Sequence, residues 1–502
     1  MSVLLVNLRH PGIRPQDRQE HLGMGYLAST LRAAGHEAKI LDAQALGLTD
    51  REALDRALAH PQPALIGLSI PFQERLRRAL IFASALRQRG YRGSLVAGGH
   101  PPTFLYQAML VNCHALDAVA LGESEETLLE LASRLEDGRE WRDVPGIALR
   151  LEGVVRRNPP RPMRRDLDSL PFPARDTLPV YLEKVAPGEI AAASVLRSRG
   201  CTAHCSFCDT RAFYRSMPGP AWRVRSASNV VNEIEELMDQ HGVGFIRFWD
   251  DNFMGPGNPG LRAARSLATE ILSRGLDVGF GLECRVDAMD EETLLLLKEA
   301  GLKRVFLGVE SGVQRALDTY DKGVTVEDNR RALSILGKLG IDATLGFIMF
   351  DPYTTFEEVS ANTEFLKSTI GPWPEVRRVV AQPMNVLQVY DGTPLADRLR
   401  QEDLLLDHGD PYPPFHRYRF LDSRVRVLVG IVDLIRRVGL PLRDALTSLS
   451  WNLRRRTKAA GALTGNAPVN PVSQYASPVS TIRKTPGSPR GTGREPGSAP
   501  PG

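Results

Sequence analysis

The stretch Arg199-Gly200-Cys201-Thr202-Ala203-His204-Cys205-Ser206-Phe207-Cys208 decides how this chain is read. Its three thiols have the spacing C-x3-C-x2-C, and the two remaining cysteines, Cys113 and Cys284, lie far from them. A secreted, disulfide-stapled protein scatters its cysteines; a run this dense points to ligation. Three thiolates on one short loop can hold three irons of a [4Fe–4S] cluster and leave the fourth iron open to a small molecule. Gly200 permits a sharp turn or a close backbone approach ahead of the first thiol. Phe207 can shield a cluster from water. Two plainer readings stand beside this one. Structural zinc would need a fourth ligand, for which His204 is at hand, and unligated thiols would simply pack.

Working outward, the loop follows the apolar segment Ala192–Arg197. Five further segments read as strands: Gly244–Trp249, Asp277–Leu282, Arg304–Gly308, Ala343–Met349 and Val379–Leu387. Amphipathic helices separate them. Six β/α units over residues 191–400 predict a partial or complete parallel barrel, with reactive groups at the C-terminal ends of its strands. Residues 1–150 carry another alternating series, with apolar strands at Ser2–Val6, Ala38–Leu41, Ala64–Ser69, Ser94–Ala97 and Ala118–Leu121. Such strands between amphipathic helices predict an α/β fold: a doubly wound parallel sheet covered on both faces. Ligands bind such sheets at the carboxyl ends of the strands, which here places Ser69, Gly98, Gly99, His100 and Gly122 on the rim. Proline-punctuated residues 151–190 read as a linker. Residues 401–456 read as a short helical region, and residues 457–502, rich in Gly, Pro, Ser and Thr, as a disordered tail.

The chain has 502 residues, 42% of them apolar and 24% charged, enough for two or three domains with real cores. That composition excludes a wholly disordered protein and a small disulfide scaffold. The formal charge of +4 comes from the tail: beyond Trp451 eight basic residues face one acid, so residues 1–450 are net negative. An acidic body argues against nucleic acid as substrate and for a small molecule. No signal peptide or apolar run of spanning length is evident, which predicts a soluble, cytoplasmic protein without a membrane segment.

With the cysteine loop at the start of an αβ barrel, the chain resembles the radical S-adenosylmethionine (SAM) enzymes. Further segments resemble the branch with an N-terminal cobalamin (B12)-binding-type domain. They are Leu22-Gly23-Met24-Gly25-Tyr26-Leu27, Ala97-Gly98-Gly99-His100-Pro101-Pro102-Thr103, Gly122-Glu123-Ser124-Glu125, Asp250-Asp251-Asn252-Phe253 and Gly308-Val309-Glu310-Ser311-Gly312. The resemblance implies that Cys201, Cys205 and Cys208 hold a [4Fe–4S] cluster whose open iron binds the amino and carboxylate groups of SAM. Reductive cleavage then gives methionine and a 5′-deoxyadenosyl radical, with an electron donor such as flavodoxin or ferredoxin. Asp250 and Asp251 would meet the SAM ammonium. Glu283 and Arg285 follow the third barrel strand, where Arg285 would hold a carboxylate. Glu310 and Ser311 would lie near the ribose. The family's Gly-x-Pro-Gly-Glu-Thr turn is replaced here by Phe350-Asp351-Pro352-Tyr353-Thr354-Thr355, which puts Tyr353 either in the pocket or against the following helix.

For the first domain, His100 would be the candidate cobalt ligand. The family's Asp-x-His-x-x-Gly signature has no match in Asn7-Leu8-Arg9-His10-Pro11-Gly12. Two reactions follow from the resemblance. With cobalamin bound, the enzyme would methylate an unactivated carbon of a natural-product substrate. Without it, a dehydratase or deoxygenase acting on a sugar diol in aminoglycoside-type antibiotic biosynthesis is the alternative. A cobalamin sensor or a structural iron–sulfur protein would not need the segments at 250–253 and 308–312 as well as the three cysteines.

Overall fold

Val3 and Leu5 are buried on one face of Ser2–Asn7 (β1) and Val6 on the other, the signature of a strand sandwiched between helices. In the computed structural model, residues 1–10, 19–59, 61–186, 188–370, 379–381, 384–407 and 409–438 are described. β1 pairs in parallel with both Glu37–Asp42 (β2) and Leu65–Ser69 (β3). Ser94–Gly98 (β4) and Ala118–Ala120 (β5) continue the parallel sheet. The hairpin of Ile147–Leu151 (β6) and Val154–Arg157 (β7) then closes one edge in antiparallel fashion. The order is β2-β1-β3-β4-β5-β6-β7, so strand order switches between β1 and β3 and the carboxyl ends there form the natural crevice.

The wholly parallel sheet expected from the sequence is thus mixed. The first sheet also runs past residue 150 into the segment expected to be linker. The rest of that segment is strapped down rather than slack. Leu167 and Leu170 bury against Tyr26, and Ala174 N donates to Gly25 O at 3.0 Å. A Cβ on Gly25 would meet Ala174 O at 2.9 Å, which explains a glycine in the middle of an apolar helix.

The second unit contains Ala192–Val195 (β8), a two-residue ribbon of Ser198–Arg199 (β9) with Arg223–Val224 (β10), and Phe245–Phe248 (β11). Gly279–Arg285 (β12), Leu302–Glu310 (β13), Asp342–Phe347 (β14) and Val379–Ala381 (β15) follow. All pairs in the sheet β15-β14-β13-β12-β11-β8 are parallel, and its two ends do not meet among the described residues. This is a partial barrel. Its interior is the largest apolar cluster, built from strand residues such as Val195, Phe248, Phe280, Val305 and Phe347 and from the inner faces of the surrounding helices. Local chemistry sets the helix limits: Ser226 caps Ala227–His241, which stops at Gly242 in the left-handed region, and a Thr325/Asp328 capping box starts Val326–Leu339.

After the barrel, the described part holds helices Pro394–Gln401 and Ser423–Val438 joined by an irregular segment. The remainder of the expected helical region, and the expected tail, lie outside the described residues. No helix among the described residues is long and apolar enough to cross a membrane.

Gly99 sits at φ +129°, and an added Cβ would lie 2.2 Å from Ile70 O. Backbone of that kind costs about 1–3 kcal/mol for a non-glycine residue. Gly99→Ala is therefore expected to lower the urea midpoint of unfolding with the slope unchanged, whereas Gly35→Ala, at positive φ but in open space, is expected to lower it less.

Candidate active site

Gly200 turns the chain at φ +93° with its Cα against Ala221 O, where a Cβ would come within 2.2 Å. The turn delivers Cys201 to the C-terminal end of β8, as expected for chemistry at a barrel rim. Asp251 holds the turn by accepting from Gly200 N at 3.0 Å. Farther along, Ser206 N donates to Tyr320 O at 2.7 Å and Ser206 Oγ to Thr319 O at 2.9 Å. Phe207 packs edge-on to Tyr320 with centroids 5.5 Å apart. Arg211, on the helix Asp209–Arg215 that follows Cys208, donates to the carbonyls of Thr202 and Ala203. The loop is thus anchored along its length, and its three free thiols are half-buried.

Among the described residues no group of three or more His, Cys, Asp and Glu side chains is drawn together for a metal ion. The thiols share one loop without converging. Burial pushes the Cys201 and Cys208 thiols up, so they are protonated here, and coordination to iron would supply the charge that deprotonates them. The donor set suits a cluster chemically: three accessible, unoxidised thiols on an anchored loop, with an aromatic ring beside them.

The carboxylates expected to meet SAM fall into distinct positions. Asp250 is fully buried and accepts from Ser198 N, Ser198 Oγ and, at 3.3 Å, Arg197 N. Its ionic partner Arg197 is equally buried, with Nε 3.9 Å away, and its guanidinium lies 4.1 Å from the centroid of the Phe253 ring. Burial raises the pKa of Asp250 and lowers that of Arg197 to about 10. Desolvation outweighs attraction for both partners, as expected for a deep pair with imperfect geometry. Asp251 is exposed at the rim, beside the cysteine loop. Glu283, on β12, accepts from Phe253 N through its backbone carbonyl at 2.9 Å, while its carboxyl has no hydrogen-bond partner among the described residues. Burial, followed by the charges of Asp251 and Asp250, pushes its carboxyl up to about 8.

Arg285 is aimed at the loop itself. It donates to Cys205 Sγ at 3.1 Å and is braced by Asp287 at 2.9 Å and by Lys322 O. Glu310 sits at a bulge with φ +62° and pairs with buried Lys322 at 2.9 Å. Ser311 is fully buried; its hydroxyl donates to Asn362 and accepts from Val313 N. Tyr353 lies against the helix Pro394–Gln401, bonded to Glu402 and under Arg398. A cavity of about 320 Å³ opens beside the loop, lined by Thr202, His204, Asn252, Arg285, Asp287 and Lys322 among others. Lys322 carried no sequence signal of its own; only folding brings it to Glu310.

On the first sheet, Ser69 bonds to His21 at 2.8 Å, and burial lowers His21 to about 4, leaving it neutral. Gly98 leaves space at its Cα, where a Cβ would only touch Ala120 at 3.6 Å. His100 stacks on Phe213 at 3.8 Å and faces Asp209 through Nδ1 at 3.2 Å. Burial works to lower its pKa, but the Asp209 carboxylate outweighs that and raises it. Both Phe213 and Asp209 belong to the helix after Cys208, so the rim of the first sheet faces the cysteine loop. The rim offers a corrinoid open backbone at Gly98, while one nitrogen of His100 is already engaged.

A second contact between the units was not foreseen. Glu123 receives two hydrogen bonds from Arg223, at 2.7 and 2.8 Å, and lies 3.4 Å from Arg199. Glu125 pairs with Arg199 at 2.8 Å. Burial opposes ionisation of Glu123, but the two guanidiniums outweigh it and hold its carboxyl below the usual range. The Gly122-Glu123-Ser124-Glu125 segment was visible in the sequence, but its partners were not.

Comparison with known proteins agrees with this geometry. Residues 195–366 match the model of the radical SAM superfamily and residues 14–132 that of the B12-binding domain. An uncharacterized methyltransferase of Pyrococcus horikoshii is 31% identical over 385 residues, 77% of this chain and 79% of that protein. The anaerobic magnesium-protoporphyrin IX monomethyl ester cyclase of Rubrivivax gelatinosus is 31% identical over 337 residues, 65% of this chain and 58% of that protein. Among solved structures, the cobalamin-dependent S-adenosylmethionine radical enzyme OxsB with aqua-cobalamin and S-adenosylmethionine bound superposes with a TM-score of 0.75 at 22% identity. That match covers 89% of this chain and 68% of the other, a likeness of fold.

The environment of Glu283 predicts a pH signature. A carboxyl whose native pKa lies above its unfolded value of 4.5 stabilises the fold at low pH, and that contribution is lost as pH rises through about 8. Glu283→Gln should therefore gain melting temperature relative to the parent protein between pH 5 and pH 8.5 and level off above. A pH-independent difference would show that Glu283 ionises normally.

Proposed function

Because the chain belongs to the radical SAM superfamily, in the branch with an N-terminal B12-binding domain, we propose that it is a radical SAM enzyme that methylates a small-molecule substrate with cobalamin carried by its first domain. The observation that carries this reading is the anchored loop of three free thiols at the open end of a partial parallel barrel. Cys201, Cys205 and Cys208 would hold a [4Fe–4S] cluster, which when bound supplies the electron for reductive cleavage of SAM.

The remaining roles belong to the chain's own groups. Exposed Asp251 offers an acceptor for the SAM ammonium next to the loop, and buried Asp250 fixes the backbone from which that loop departs. Glu283, protonated at neutral pH, can donate a hydrogen bond inside the barrel. Glu310, paired with buried Lys322, ends the neighbouring strand β13. Arg285 steadies the loop at Cys205. Phe207 against Tyr320 limits water at one side of the loop. On the first domain, Ser69, Gly98 and Gly99 would form the cobalamin rim, a site that when filled supplies a methyl group. The methyltransferase relative supports this reaction class, and the acidic body supports a small substrate; a flavodoxin- or ferredoxin-type donor would reduce the cluster.

Two measurements test the reading. After anaerobic reconstitution, replacing all three loop cysteines by alanine should abolish the cluster absorbance and 5′-deoxyadenosine formation; unchanged formation would remove the assignment. Purification with supplied hydroxocobalamin should yield about one cobalt per chain. No cobalt with an intact cluster would instead support cobalamin-independent dehydration of a sugar diol.

A further inference from the structure

The ribbon that presents Cys201 has an electrostatic problem. Arg199 and Arg223 are direct cross-strand partners on β9 and β10, and both are buried. Like charges placed opposite one another repel, and out of water they do so strongly. Among the described residues no barrel carboxylate pairs with either guanidinium; the barrel side offers Arg223 only the ring of Tyr214, at 5.5 Å. The compensating carboxylates come from the first domain: Glu123 bridges both guanidiniums and Glu125 takes the other side of Arg199. The Arg199 guanidinium also lies 4.8 Å from the centroid of Tyr26, another first-domain residue. Arg199 is two residues ahead of Cys201.

The opposite end of the loop is held in the same manner. Asp209 directly follows Cys208 and meets His100 of the first domain, whose ring lies flat on Phe213 of the same helix. Backbone packing reinforces both contacts. Glu123 N lies 3.1 Å from Met217 Sδ, just past that helix. A Cβ on Gly122 would collide with the same sulfur at 2.3 Å. The first domain therefore grips the residues flanking the first and last thiols, and it does so with the two segments that also border its own ligand rim.

From this we infer that Glu123 and His100 are positioning residues for the cysteine loop, so that the geometry of the iron–sulfur site is set by the first domain rather than by the barrel alone. This rests on the reading of Cys201, Cys205 and Cys208 as cluster ligands. The two residues do not touch the reacting atoms; they act through Arg199 and Asp209.

The test uses the full chain, anaerobically reconstituted, in four forms: parent, Glu123→Gln, His100→Asn and Glu20→Gln. Glu20 is a control, because it makes a comparable buried junction contact, with Arg175 of the connecting segment at 2.6 Å and with Ser194 N of β8 at 3.1 Å, and touches no residue of the cysteine loop itself. Readouts are the electron paramagnetic resonance spectrum of the dithionite-reduced cluster, the rate of iron loss to a chelator, and the melting temperature. Glu123→Gln and His100→Asn are expected to change the spectrum and to speed iron loss about ten-fold, the equivalent of one charge-assisted hydrogen bond. Glu123→Asp should recover part of both. Glu20→Gln should lower the melting temperature yet keep the parent spectrum. Parent-like spectra in both loop variants would overturn the inference, as would an equal change in Glu20→Gln. If Glu123→Gln does not fold, the His100→Asn spectrum decides. A parent protein that takes up no cluster would overturn the proposed function, and this inference with it.

Discussion

The buried guanidinium of Arg199, enclosed by two carboxylates from another domain, is the contact on which the site depends. A charge removed from water is tolerated only when paired and hydrogen-bonded. The barrel's short ribbon carries two such charges, and among the described residues their carboxylate partners are all from the first domain. The charge balance of the ribbon is for that reason completed only where the first domain meets it. The same logic recurs at the other face of the junction, where Glu20, Arg175, Glu233 and Arg225 form a continuous buried network reaching from the first domain through the connecting segment to the barrel helix Ala227–His241. The connecting segment is part of that network, which is why its prolines do not make it a loose tether.

Around the barrel mouth the balance runs the other way. Asp250, Asp251 and Glu283 gather with little positive charge among them, apart from Arg197, which is too poorly aligned to neutralise Asp250 fully. A concentration of carboxylates that resist ionisation is unfavourable for the fold; on the proposed reading, the sulfonium and ammonium of SAM would bring the missing charge. The interior is thus prepared by its deficit, while the loop above it is secured by surplus pairing.

Much of this was legible in the chain. Apolar strands between amphipathic helices revealed both αβ units, because the period of burial is written locally. The three thiols were evident from spacing alone. What escaped was of two kinds. The hairpin β6–β7 and the helix His100–Asn112 have weak local signals: one ends in a short, exposed edge strand, Val154–Arg157, and the other opens with two prolines. The pairings of Arg285 with Cys205, Lys322 with Glu310 and Glu123 with Arg199 join residues 12 to 80 positions apart, and no periodicity encodes them. His100 shows the difference well. Its place on the rim could be read, but its commitment to Asp209 depends on how two sheets meet.

By itself the sequence determined that three ligand-type thiols sit on one loop after the first strand of a parallel αβ series, since spacing and hydrophobic period are properties of neighbours along the chain. Only the tertiary structure decided which charged groups face that loop. Electrostatic partnership in a desolvated interior depends on distances of a few ångströms between segments that are remote in sequence, within the barrel for Arg285 and Cys205 and across the two domains for Arg199 and Asp209.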